Sequence, residues 1–243
     1  MIIKLLPTDT KRSPFGRFQI DPALWPNFQL NGLSQAPSDY LSQPLYVLFF
    51  TEIPANLEDR FKMSLPAAGA QYADDMIRVS HETGVSPLLL AGIMQAETRF
   101  GTSAACKGLG PACKSPTGKY LGLMQYDTAY ADWSLSKLPN GRPQWTVPYF
   151  NMRRGAEWLI QTKDELIRRL KNAKVNTKTM DLDLLGRAVI AAYNKGPAKA
   201  RSAVVKGKEP GTVTAVEEGR NYVDRTLAVV NSVRDSMKTT GTV

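Results

Sequence analysis

The chain has 243 residues, of which 43% are hydrophobic and 22% charged, so it can bury one sizeable domain with an appendage or two small domains. Its 31 lysines and arginines exceed its 22 aspartates and glutamates, and the net charge of +9 favours a polyanionic partner, either nucleic acid or a bacterial envelope. No nucleic-acid-binding motif accompanies the charge, so we expect the envelope and no nucleic acid. No stretch approaches the ~20 apolar residues that a membrane span requires.

Residues 1–68 are rich in proline and aromatic side chains, and repeated prolines forbid long helices there. We expect an irregular or short-stranded region that is either a docking arm for a larger assembly or a strap packed across the rest of the chain. The apolar run Leu45–Phe50 predicts a buried strand or another core segment. The stretch Met1–Pro7 lacks the longer apolar run and cleavage site of a secretory signal. We therefore expect either a signal that has been removed or another route to the envelope.

From Ala70 onward the pattern predicts helices. The first carries Tyr72, Met76 and Val79 at helical spacing and stops at Gly84. Ser86 and Pro87 then predict an N-cap and a first helical residue, for a helix that runs to about Thr98. Later helices are predicted over 156–171, 182–194 and 220–237, with a loop over 101–119. The fold class is therefore mainly α.

The only two cysteines, Cys106 and Cys113, lie in that loop and predict either a disulfide or two free thiols. Together with the single, distant His81 they supply too few ligands for a metal site. We expect neither a metal nor a cofactor.

Glu97 is the most informative residue, because it lies in the last turn of an otherwise apolar predicted helix. It shares a helical face with Ile93 and Leu89, which favour burial. Desolvation raises the pKa of a carboxyl group, as a general acid working near neutral pH requires. A structural carboxylate held by a cap or an ion pair is the alternative.

Further segments follow Glu97 in a fixed order. They are YLGLMQ at 120–125, NMRRGAEWL at 151–159, AAYNKGP at 191–197 and EGRNYV at 218–223. With ETRF at 97–100, this set resembles the catalytic domain of the family 1 lytic transglycosylases, the soluble-transglycosylase, lysozyme-like group that includes goose-type lysozymes. The resemblance covers roughly residues 70 to 235. It implies a lysozyme-like helical domain over 69–243, after the docking or strap region over 1–68.

The resemblance implies an enzyme that cleaves peptidoglycan between N-acetylmuramic acid and N-acetylglucosamine. Glu97 would protonate this bond and then accept the proton of the muramic acid's own carbon-6 hydroxyl, which gives a 1,6-anhydro product without water. By resemblance Tyr222 would hydrogen-bond Glu97, and it is counted with the substrate-binding residues Thr98, Met124, Gln125, Tyr193 and Asn194. For Met124, Tyr193 and Tyr222 the alternative is ordinary packing.

The chain departs from the family pattern in two stretches that are longer than the resemblance leads us to expect. One lies between Glu97 and Gln125 and contains the cysteines. The other precedes Tyr193 and adds Trp133 and Trp145, which would either stack on sugar or belong to the core. Asp127 would be either a second carboxylate, as in an inverting hydrolase, or the N-cap of a helix that begins at Thr128.

The sequence is therefore compatible with three functions. They are a lytic transglycosylase, a goose-type muramidase that cuts the same bond with water, and a wall-binding or virion structural protein without turnover. We expect action at the bacterial cell wall or periplasm, delivered by a phage particle or a phage lysis system. Peptidoglycan is the expected partner, and residues 1–68 are the expected contact to a virion or envelope assembly.

Overall fold

A computed structural model describes residues 37–127, 136–217 and 219–240. The helices in these ranges are α1 (Pro37–Leu41), α2 (Leu45–Phe49), α3 (Glu58–Ser64), α4 (Ala67–Ala70), α5 (Ala73–Thr83), α6 (Pro87–Thr98), α7 (Pro148–Asn172), α8 (Leu182–Lys195), α9 (Pro197–Val205) and α10 (Tyr222–Thr239). The strands are β1 (Tyr120–Leu121), β2 (Tyr126–Asp127), β3 (Val216–Glu217) and β4 (Arg220–Asn221). The mainly α prediction is confirmed.

The described part of residues 1–68 forms short helices. The longest of them, α3, has 7 residues, as expected where prolines recur. The run that begins at Leu45 is helical rather than extended, because Pro44 occupies the N-cap and its carbonyl accepts a hydrogen bond from the Leu48 amide. Leu48 and Phe49 are fully buried, so this run is a core segment and not a strand. Of the region 1–68, for which a docking arm or a strap is predicted, residues 1–36 lie outside the described residues.

One hydrophobic cluster joins these short helices to the longer ones, and it contains Phe49, Phe61, Leu90, Leu166 and Val230. The side chains of the early segment thus share a core with those of α6, α7 and α10. Residues 40–65 therefore pack into the core, and the choice between a docking arm and a strap for the whole region 1–68 stays open.

Helix α6 lies at the centre of the core, because it is apolar on nearly all sides. Its start is as predicted: Ser86 accepts a hydrogen bond from the Leu88 amide, and Pro87 is the first helical residue. A Cβ atom at Gly92 would lie 2.9 Å from the Thr226 carbonyl oxygen, so the missing side chain allows α10 to approach closely. The last turn of α6 therefore lies beside the first turn of α10.

Two antiparallel strand pairs interrupt the helical pattern. Strand β1 pairs with β2, with Tyr120 opposite Asp127, and β3 pairs with β4. Strands of two residues are too short to show a period-two pattern in the sequence. Because β4 occupies Arg220–Asn221, α10 begins at Tyr222 rather than at Arg220.

The loop after α6 is closed by a disulfide between Cys106 and Cys113, whose Cα atoms are 4.6 Å apart. Both cysteines are buried. The Cys113 carbonyl also accepts a hydrogen bond from the Gly122 amide at 2.7 Å, which connects this loop to the β1–β2 turn. Within the three described ranges, no helix is both long and apolar enough to cross a membrane.

Candidate active site

A cleft of about 440 Å³ lies beside the last turn of α6. Its walls come from the end of α8, the β1–β2 hairpin and one side chain of α7. The lining residues are Glu97, Tyr120, Gln125, Tyr126, Asp127, Trp158, Tyr193, Asn194, Lys195 and Gly196. Four of the sequence segments that carried the resemblance thus meet around one cavity.

Glu97 is partly exposed to this cleft, while protein surrounds the rest of its side chain. The Tyr222 hydroxyl, which is buried, donates a hydrogen bond to Glu97 Oε1 at 2.8 Å. The pKa of Glu97 is raised from 4.5 to about 7, mainly because the side chain is buried. The Tyr222 hydrogen bond and the charges of Arg225 and Lys195 oppose this rise, and the charge of Glu217 adds to it. A carboxyl group with this pKa can both give and take a proton near neutral pH.

Arg225 supports this arrangement from α10. Its guanidinium donates to the Ala96 carbonyl oxygen at 3.1 Å, forms an ion pair with Glu217 and lies 5.7 Å from the centre of the Tyr222 ring. It therefore ties the peptide preceding Glu97 to the β3–β4 hairpin.

The turn that carries Gln125 is fixed by Asn151, a fully buried residue near the start of α7. Its amide donates to the Leu121 carbonyl at 3.1 Å and accepts from the Met124 amide at 2.8 Å. Gly122 has a φ of 74°, and a Cβ atom there would lie 2.0 Å from Asn151 Nδ2. Only glycine can occupy that position in this geometry.

Thr98 and Met124 do not reach the cleft, because their side chains are buried beneath it. The Thr98 hydroxyl donates to the Leu123 carbonyl at 3.0 Å, and the Met124 side chain packs on Gly155. These two side chains, which were predicted to contact substrate, therefore support the turn from below and do not line the cleft.

Tyr193 and Asn194 line the cleft at the end of α8, which stops at Gly196. The Tyr193 hydroxyl donates to the Met124 carbonyl at 2.7 Å, and burial raises the pKa of Tyr193 well above its ordinary value. Asn194 Oδ1 accepts a hydrogen bond from the Ala215 amide at 3.3 Å. Like Gln125, both residues are placed on the cleft wall, and their contact with substrate stays a prediction.

Asp127 also lines the cleft, where its carboxylate lies 3.2 Å from the Lys119 ammonium. It ends strand β2; the helix predicted from Thr128 lies outside the described residues, as do Trp133 and Glu218. Among the described residues, no group of three or more His, Cys, Asp or Glu side chains is placed to hold a metal ion.

Two tryptophans lie near the cleft in different environments, and the first takes the core alternative of the prediction. Trp145 is buried with Leu121 and Tyr126, so it belongs to a small core. Trp158, which lies in the family segment 151–159, lines the cleft, and its ring meets that of Tyr126 edge to face at 6.2 Å. Tyr120 is a further exposed lining residue that the sequence did not single out for a role.

A family model described as the transglycosylase SLT domain matches residues 76–214, more than half of the chain. The chain belongs to this family. The match includes Glu97, Gln125, Tyr193 and Asn194 and ends before Tyr222. No curated protein matches the chain. The resemblance to the family 1 lytic transglycosylases is confirmed, and membership of the SLT family supports lytic transglycosylase activity on peptidoglycan in general.

Proposed function

We propose that this SLT-family protein cleaves the bond between N-acetylmuramic acid and N-acetylglucosamine and leaves a 1,6-anhydro-muramic end. The observation that carries the proposal is the Glu97 carboxyl group, which meets the cleft with a pKa of about 7 and is held by the Tyr222 hydroxyl at 2.8 Å. At neutral pH about half of such groups carry a proton that can be given to a substrate.

The reaction proceeds in two proton transfers. Protonated Glu97 gives its proton to the glycosidic oxygen as the bond from that oxygen to carbon 1 of muramic acid breaks, which leaves an oxocarbenium-like sugar and a Glu97 carboxylate. The carboxylate then takes the proton of the carbon-6 hydroxyl, whose oxygen bonds to carbon 1 and closes the anhydro ring. The acid is regenerated and no water is consumed. The Tyr222 hydrogen bond stabilises the carboxylate between the two transfers.

A muramidase of goose type is the second candidate, and the position of Asp127 favours it. This carboxylate lines the same cleft as Glu97, as a hydrolase needs if a second carboxylate is to activate a water. Its ion pair with Lys119 holds this carboxylate at the wall of the cleft.

Digestion of purified peptidoglycan in heavy-oxygen water, followed by mass spectrometry of the soluble products, separates the two reactions. We expect anhydro-muramic ends without the heavy label, and the same products from Asp127→Asn. Reducing ends that carry the label, and that disappear in Asp127→Asn, would establish hydrolysis instead. Wall binding without any released product would support the non-catalytic alternative.

The route to the wall is a separate question. Delivery by a phage particle or lysis system, and contact of residues 1–68 with a virion or envelope assembly, stay predictions of the sequence.

A further inference from the structure

The cleft contains a cation that the proposed reaction does not use. Lys195 is the last residue of α8, directly after Tyr193 and Asn194, and its exposed side chain lines the cleft. A lysine at a helix C-terminus complements the helix dipole, but this does not require the side chain to lie along a substrate cleft.

The other charged lining residues already have partners. Glu97 accepts the hydrogen bond of Tyr222, and Asp127 pairs with Lys119. Lys195 forms neither a hydrogen bond nor an ion pair with any residue of the described ranges. Its ammonium group is therefore available to an anionic ligand.

The charge of Lys195 works against the acid chemistry. It lowers the pKa of Glu97, whereas a general acid near neutral pH needs that pKa to be high. Burial of Glu97 outweighs this effect. Lys195 lowers the pKa of Glu97 and has no role in the proposed reaction. Its position in the cleft is explained if it binds an anionic group of the substrate.

On this basis, and resting on the proposed function for the substrate class, we infer that Lys195 is a specificity-determining residue that binds a carboxylate carried on the lactyl substituent of muramic acid. That carboxylate has two possible sources. In strands stripped of peptide it is the lactyl carboxylate itself, and in intact strands it belongs to the peptide stem. Both present a carboxylate on the muramic acid whose glycosidic oxygen Glu97 would protonate, and an ammonium group recognises it as a point charge.

The test measures binding rather than turnover, so that it does not depend on which product the enzyme makes. Three proteins are titrated calorimetrically with four soluble glycan strands. They are the Glu97→Gln variant, the double variant Glu97→Gln/Lys195→Gln and the double variant Glu97→Gln/Lys195→Arg. Two strands bear peptide stems, with their carboxylates free or amidated. The other two are stripped, with the lactyl carboxylate free or amidated. Equal melting temperatures of the three proteins exclude an effect through folding.

We expect Lys195→Gln to weaken binding of the free-carboxylate strand by about fivefold in one matched pair, and Lys195→Arg to stay within about twofold. The pair that responds identifies the source of the carboxylate. Equal weakening on free and amidated strands in both pairs, no weakening anywhere, or no binding by any protein would overturn the inference. A hydrolytic product, which would overturn the transglycosylase proposal, leaves the carboxylate dependence of binding unaffected.

Discussion

Replacement of Glu97 by glutamine is expected to stabilise the fold at the same time as it removes activity. Burial holds the pKa of Glu97 at about 7, compared with 4.5 ordinarily. At 1.36 kcal/mol per pKa unit, ionising this group costs on the order of 3 kcal/mol more in the folded protein than in the unfolded chain. An amide of the same shape avoids this cost and still accepts the Tyr222 hydrogen bond.

The sign of the pH dependence follows from the raised pKa. The contribution of Glu97 to stability is fully present below pH 4.5 and is lost as pH rises towards and through about 7. Glu97→Gln should therefore change the free energy of unfolding little at pH 5 and raise it most at pH 8, with a gain about 2 to 3 kcal/mol larger at the higher pH.

Urea denaturation of the wild-type and variant proteins at both pH values measures this difference. Glu165→Gln is the control of opposite sign, because the hydrogen bond from Arg168, with further help from Arg169, lowers the pKa of Glu165. That variant should lose stability at pH 8 relative to low pH. If Glu97→Gln changes stability equally at pH 5 and pH 8, or destabilises the protein at pH 8, the argument that burial raises the pKa of Glu97 is refuted.

Three further predictions concern the surroundings of the acid. Tyr222→Phe removes a hydrogen bond that favours the carboxylate, so the alkaline limb of the pH–rate profile should move up by about one unit; an unmoved or lowered limb would contradict this. Gly122→Ala should cost at least about 2 kcal/mol in thermal unfolding and reduce product release, because its Cβ would meet Asn151 Nδ2 at 2.0 Å; a neutral result would show that the turn can shift. The double variant Cys106→Ala/Cys113→Ala should lose up to about 2.5 kcal/mol of unfolding free energy, and an unchanged midpoint under non-reducing conditions would argue against the disulfide.

Where the sequence predicted well, strong local signals were present. The apolar spacing before Glu97, the Ser86–Pro87 start and the stop at Gly84 locate the end of α5 and both ends of α6. The contact between Glu97 and Tyr222 joins residues 125 positions apart, so it came from the family resemblance and not from any local pattern.

Where the sequence predicted less, the deciding factor was tertiary packing. Local sequence cannot tell that Trp158 meets the cleft while Trp145 is buried, because that depends on which elements pack against each ring. Asn151 opens one of the family segments, but nothing local in the sequence shows that its side chain fixes the turn before Gln125. Met124 lies in a family motif but points into the core, because the turn needs an apolar anchor as well as lining residues.

The central claim is that Glu97 is the acid of an anhydro-forming reaction, and the rate of formation of anhydro-muramic ends as a function of pH tests it most directly. The wild-type rate should fall as pH rises above about 7, and Glu97→Gln should form no such ends at any pH. Anhydro ends produced by Glu97→Gln, or a wild-type rate that stays constant across neutral pH, would contradict it.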